Sequence, residues 1–151
     1  MARPEAGGKP RIRGEVNALS FDDKDVRDVV HAVLNSGTYY YFYCAYTDTR
    51  HINPSDVSEF PLDLTAFSAT RRANLAGLAM KLQKRFAANT TQWRKSGLLI
   101  DSVDAKGCKP GIDPLDCELA RHYGFTEEEL DFLVNYDIKY RLGGEGESEE
   151  E

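Results

Sequence analysis

The chain has only three cysteines in 151 residues, Cys44, Cys108 and Cys117, with no C-x-x-C spacing between them. Such a set argues against a disulfide framework and predicts reduced thiols, buried or incidental. Long apolar runs are also missing: nothing approaches the roughly 20 residues of a membrane span, and Met1 to Pro10 lacks the apolar stretch of a signal peptide. A soluble, cytoplasmic protein with no membrane partner is expected. No G-x-x-x-x-G-K-[ST] phosphate loop, H-E-x-x-H zinc helix, G-x-S-x-G nucleophile elbow or G-x-G-x-x-G turn occurs, so those enzyme classes lose their support. His31, His51 and His122 are scattered relative to one another and to the cysteines, and no metal site is expected. The acidic stretches Asp22-Asp23 and Glu127 to Glu129 lie where helices need caps, which explains them without catalysis.

What is present suffices for one compact domain: 41% of residues are hydrophobic and 29% charged. The net charge of -6 conceals a polarity along the chain. Residues 1–70 carry 7 basic and 10 acidic side chains, residues 71–109 carry 9 basic and 2 acidic, and residues 110–151 carry 3 basic and 13 acidic. The middle is therefore a basic block inside an acidic protein, and whole-chain charge is a poor guide to partners.

Residues 1–18, with two prolines and three glycines before Glu15, offer little to bury and read as a flexible lead or the torn end of a longer chain. Val26, Val29, Val30, Val33 and Leu34 fall at helical spacing, with Asp22 or Asp23 to cap the helix and Ser36-Gly37 to close it. The aromatic run from Tyr39 to Tyr46 is ambiguous, since β-propensity argues for a strand while its length permits a short buried helix. Asn53-Pro54-Ser55-Asp56 is a capped helix start, and Phe60-Pro61 a stop. Leu75, Leu78, Leu82 and Phe86 stripe a longer helix that turns Lys81 and Lys84 to solvent. Between Asn89 and Lys109, Trp93 and the run Leu98-Leu99-Ile100 point weakly to a strand or hairpin, with Trp93 expected in the core.

Punctuation is strongest at the end. Asp113-Pro114-Leu115-Asp116 reads as a helix start, Leu115 and Leu119 share a face, and Gly124 stops the helix. A second helix follows from the Thr126 cap through Leu130, Leu133 and Val134, with Lys139 and Arg141 near its negative end. Tyr123, Tyr136 and Tyr140 are expected to anchor this helical hairpin. The acidic residues 144–151 should form a disordered tail. The expected fold is α+β and mainly helical, with amphipathic helices, a small β hairpin and a C-terminal helical hairpin; the domain spans residues 19–143.

Three stretches carry a resemblance. The first is the helix Asp28-Val29-Val30-His31-Ala32-Val33-Leu34-Asn35-Ser36 before the aromatic run. The second is Tyr46-Thr47-Asp48-Thr49-Arg50-His51-Ile52-Asn53 with Phe60-Pro61-Leu62 after it. The third is Lys109-Pro110-Gly111-Ile112-Asp113 and then Tyr123 to Arg141. In this order and spacing, they resemble the C-terminal, target-recognition end of type IIG restriction-modification enzymes, the fused adenine-specific N6 DNA methyltransferases. Such enzymes bind S-adenosylmethionine with a glycine-bearing turn and hold a flipped adenine with N-P-P-[YF], because the exocyclic amine must be reached outside the base stack. Neither motif is present, and the one Asn-Pro, Asn53-Pro54, continues as Ser55-Asp56. The resemblance thus implies a DNA-recognition part without the catalytic module: inactive alone, no cofactor in this chain, S-adenosylmethionine in the missing module. Its partners would be double-stranded DNA and a methyltransferase catalytic domain in cis or trans.

For the basic block the functional reading is phosphate contact, against an ordinary solvated helix face. The charge excess together with the resemblance favours DNA. Arg94 and Lys95 come first because a projecting loop can reach a groove, followed by Lys81, Lys84 and Lys109. Arg50, His51 and Asn53 could touch DNA or the catalytic module, or could merely shape a loop in which Asn53 caps a helix and Arg50 pairs with Asp48 or Asp56. The alternative function is a protein-interaction module docking on a methyltransferase subunit without direct DNA contact.

Overall fold

A computed structural model describes residues 2–4, 18–95 and 98–142. The fold is α+β and mainly helical, as the sequence predicts. Helix α1, Lys24–Leu34, starts where the Asp23 carboxylate accepts from the amides of Asp25 and Val26. A cap of this kind stabilises a helix by about 1 kcal/mol. Its apolar stripe places Val29 and Val33 wholly inside.

The aromatic run resolves as helix α2, Gly37–Tyr46. Ser36 Oγ accepts from Tyr39 N at its start. The decisive partner comes from far along the chain: the buried carboxylate of Asp116 accepts from Gly37 N at 3.0 Å, Thr38 N at 2.8 Å and the Thr38 hydroxyl at 2.9 Å. It satisfies amides that a helix N-terminus otherwise leaves orphaned, and places negative charge at the positive end of the helix dipole. Gly37 is required by this approach, since a Cβ there would lie 2.8 Å from Asp116 Oδ2. Burial raises the Asp116 carboxyl above its usual range, against the pull of the three hydrogen bonds.

Helix α3, Pro54–Ser58, begins as expected, with the Asp56 carboxylate accepting from Asn53 N. A 3-10 turn, Leu64–Ala66, leads to the long helix α4, Ala69–Ala88. Leu75 and Leu82 of α4 are fully buried, as are Leu115 and Leu119 of α5, Ala105–Tyr123. Helix α4 lies between α1 and α5, and these apolar stripes meet to form the core. Each large aliphatic side chain removed from water stabilises the fold by about 1.5–3 kcal/mol.

Helix α5 corrects the expectation of a start at Asp113. It begins eight residues earlier, capped by Asp104, whose carboxylate accepts from Lys106 N and Gly107 N, and runs through Pro110 and Pro114. The prolines remove two helical amides, but Lys106 and Pro110, whose carbonyls lose those partners, are exposed to water. Cys108, Gly111 and Leu115 on the other face are buried, so packing holds the helix together. Gly124 ends it at φ 74°, in the left-handed region glycine favours.

Thr126 and Glu129 then cap each other's backbone to open α6, Glu127–Asn135. The expected single terminal helix is broken here. Asp137 turns at φ 56°, and a short α7, Ile138–Arg141, folds back. The Arg141 guanidinium lies 5.1 Å over the Tyr40 ring and donates to the carbonyls of Val134 and Tyr136, a cation at the negative end of α6. Tyr123 and Tyr136 do anchor the terminal hairpin. Tyr123 donates to the Pro61 carbonyl, and Tyr136 packs edge-on against Tyr41. Tyr140, 82% exposed, anchors nothing.

Three antiparallel strands complete the described fold: β1, Ala2–Pro4, β2, Thr90–Lys95, and β3, Leu98–Val103, in the order β1-β3-β2. Strand β1 lies in the lead segment, where no element was expected. The rest of that lead and the acidic tail fall outside the described residues. No helix among the described residues is long and apolar enough to cross a membrane.

Candidate nucleic-acid interface

The β2–β3 hairpin is an arm inserted between α4 and α5. Its base is closed by Asp104 N donating to the Asn89 carbonyl at 2.9 Å, one residue beyond each strand. In register, Trp93 pairs with Ile100, Arg94 with Leu99 and Lys95 with Leu98. Gln92 donates to Asp101 across the pair. Beyond its base the sheet makes only marginal contact with the helices. Strand β2 is an edge strand with every residue from Thr91 to Lys95 exposed.

Alternation along β2 puts Thr91, Trp93 and Lys95 on one face and Gln92 and Arg94 on the other. The Lys95 ammonium lies 6.0 Å over the Trp93 ring. Trp93 itself is 46% exposed, which overturns its expected place in the core: among the described residues the helices make only marginal contact with the sheet. An exposed indole under a lysine ammonium matches the surface of proteins that grip polyanions by charge and stack on bases.

Helix α4, which precedes β2 in the chain, is also basic. It contains five basic residues and no acidic one. Lys81, Lys84 and Arg85 are exposed in its second half, which leads directly into β2. Lys81, Lys84, Arg94 and Lys95 are all exposed, the first two on α4 and the last two on the strand that follows it in the chain. Arg71 is drawn away, with its guanidinium 3.4 Å from His122 Nδ1. That ring stacks on Phe67 at 3.7 Å. Burial, with Arg71 adding to it, pushes the His122 imidazole below its ordinary pKa, and because a guanidinium can only donate, Nδ1 accepts in this pair.

Other predicted residues are placed differently. The Lys109 ammonium is half-buried and paired with Asp113 at 2.7 Å, which commits it to α5. Arg50, His51 and Asn53 are exposed in the loop joining α2 to α3, and neither helix packs on the sheet to any extent. That loop is shaped locally. Thr49 sits at φ 57°, Arg50 N donates to the Asp48 carboxylate, and the Asn53 amide donates to the His51 carbonyl.

Sequence reasoning missed a second feature. A short buried helix fits Tyr39, at 3% exposure against Phe60. Tyr41, Phe42 and Tyr46 instead line a cleft of about 480 Å³ bounded by α2, the end of α5, and α6. Only the folding of α6 against α2 creates it. Among the described residues, no group of three or more His, Cys, Asp and Glu could hold a metal ion, and Cys44, Cys108 and Cys117 are free. No family model, curated protein or solved structure is significantly similar to the chain.

Proposed function

We propose that this chain is the DNA-recognition part of a site-specific adenine-N6 DNA methyltransferase, working with a separate module that binds S-adenosylmethionine and transfers the methyl group. The observation that carries the DNA contact is the arm, where Lys95 lies over an exposed Trp93 and Arg94 is exposed on the opposite face, following a helix, α4, with no acidic residue. Phosphate contacts from such cations release counterions and fix orientation, and the exposed edge strand β2 of the three-stranded sheet presents them to solvent. The methyltransferase assignment rests on the three quoted sequence stretches. The chain's own lack of N-P-P-[YF] requires that catalysis come from elsewhere.

The test is fluorescence anisotropy with duplex DNA across a salt series. If Lys81, Lys84, Arg94 and Lys95 each engage a phosphate, log K should fall against log salt with a slope of about -4. Replacing Arg94 and Lys95 with glutamate should weaken binding and flatten the slope by about two. Absence of duplex binding, alongside tight association with a methyltransferase catalytic domain, would replace this reading with a docking module. The arm would then be an edge for protein contact.

A further inference from the structure

We propose that the cleft between α2 and α6 is a binding site for a methylated, quaternary ammonium group. This is independent of DNA contact. Seven of the eleven residues around the cleft are aromatic. Their rings are held by one another: Tyr41 meets Phe132 edge-on at 5.5 Å, Phe42 meets Phe60 edge-on at 5.2 Å, and Tyr46 stacks on Phe42 at 5.0 Å. Edge-to-face pairs fix ring orientation, and the electron-rich faces of such rings attract a cation.

Charge selects the occupant. Among the described residues, Glu129 is the one ionisable carboxylate on the wall, and no lysine, arginine or histidine lines the cleft. Glu127, Glu128 and Asp131 are exposed on the same helix. A polyanion is therefore repelled from this side of the molecule, whereas the α4 and β2 surface attracts one. The wall is mostly ring carbon, its side-chain acceptors being the Glu129 carboxylate and the Thr38, Tyr41, Tyr46 and Tyr123 hydroxyls, so a guest that offers methyl groups to the rings buries more apolar surface than a primary ammonium or a guanidinium. A quaternary ammonium has no N–H to satisfy and presents methyl groups to the rings. The same chemistry is already in use on the neighbouring face of α2, where the Arg141 cation sits over Tyr40.

Glu129 permits a clean test, because its other task is to accept from Thr126 N in the capping box, and glutamine serves equally at that position. Glu129→Gln thus removes the charge and keeps the helix start. Phe132, 52% exposed, can be replaced by alanine without opening the core. Binding to the full chain is followed by chemical-shift titration of the aromatic signals. The probes are choline, its neutral isostere 3,3-dimethyl-1-butanol, and a short peptide containing trimethyllysine.

Choline should saturate the cleft signals and bind about tenfold more tightly than the neutral isostere. Glu129→Gln and Phe132→Ala should each weaken choline severalfold, with Glu129→Gln leaving the isostere unaffected and the melting temperature unchanged. If the peptide binds more tightly than choline, the source is a modified polypeptide; if more weakly, a free small molecule. Either order upholds the site. Equal affinity for choline and its isostere, no saturable shift with choline or the peptide, or choline affinity untouched by Glu129→Gln would overturn it.

Discussion

The helical body and the β-arm differ in what each removes from water. In the body, Val29, Val33, Leu75, Leu82, Leu115 and Leu119 are wholly buried, and a carboxylate from α5 reaches into the start of α2. In the arm, β2 has no buried residue, and its rigidity comes from strand pairing and the closure at Asn89 and Asp104. Stability therefore resides in the body, and the arm is free to specialise in contact. Binding elements are commonly mounted in this way, on a scaffold that does not depend on them.

The sharpest way to break that contrast is Asp116→Ala. It strips the buried amides of Gly37 and Thr38 of their acceptor and should cost about 3 kcal/mol in urea denaturation. A loss no larger than a surface substitution would show that α2 does not depend on α5. Gly124→Ala should cost about 1 kcal/mol, because alanine is strained at the left-handed turn between α5 and α6.

A further test uses pH. Burial holds the imidazoles of His31 and His122 below the ordinary 6.5. Below 6.5 the unfolded chain takes up protons that the fold resists, so stability is complete above that value and declines as pH falls through it toward the lowered values. A denaturation midpoint that stayed level as pH fell through this window would mean that the two rings charge without penalty in the fold.

The smallest effects on stability belong to the arm. Arg94→Glu with Lys95→Glu, and separately Trp93→Ala, should move the unfolding free energy by less than about 0.5 kcal/mol. The charge reversal should nonetheless abolish most duplex affinity. If these variants destabilised the protein as Asp116→Ala does, the arm would be part of the scaffold and the contrast would fail.

Local signals were legible wherever the partners lie within a turn or two of each other. Asp23, Asn53, Thr126 and Gly124 mark helix ends that the structure keeps, and the stripe from Leu75 to Phe86 describes α4 with Lys81 and Lys84 outward. The hairpin also emerged from the run Leu98 to Ile100. The illegible parts depend on contacts across long separations. The Asp113-Pro114 signature suggested a helix start because a proline commonly opens a helix, but burial of Cys108 and Gly111 carries α5 across it. The terminal pattern suggested one helix, whereas the turn at Asp137 sends α7 back to place Arg141 over Tyr40. Trp93 was expected inside because nothing local shows which face of a strand lacks a covering layer.

The sequence by itself determined the helical majority, most helix ends and the segregation of basic from acidic residues, because capping, periodicity and charge act between near neighbours. Only the tertiary structure decided that the aromatic run is a helix and that its outer rings form a cleft. Asp116 hydrogen-bonds Gly37 from 79 positions away, and α6 supplies the opposite wall. The β-propensity of five successive aromatic residues was outweighed by a buried carboxylate that no local window contains.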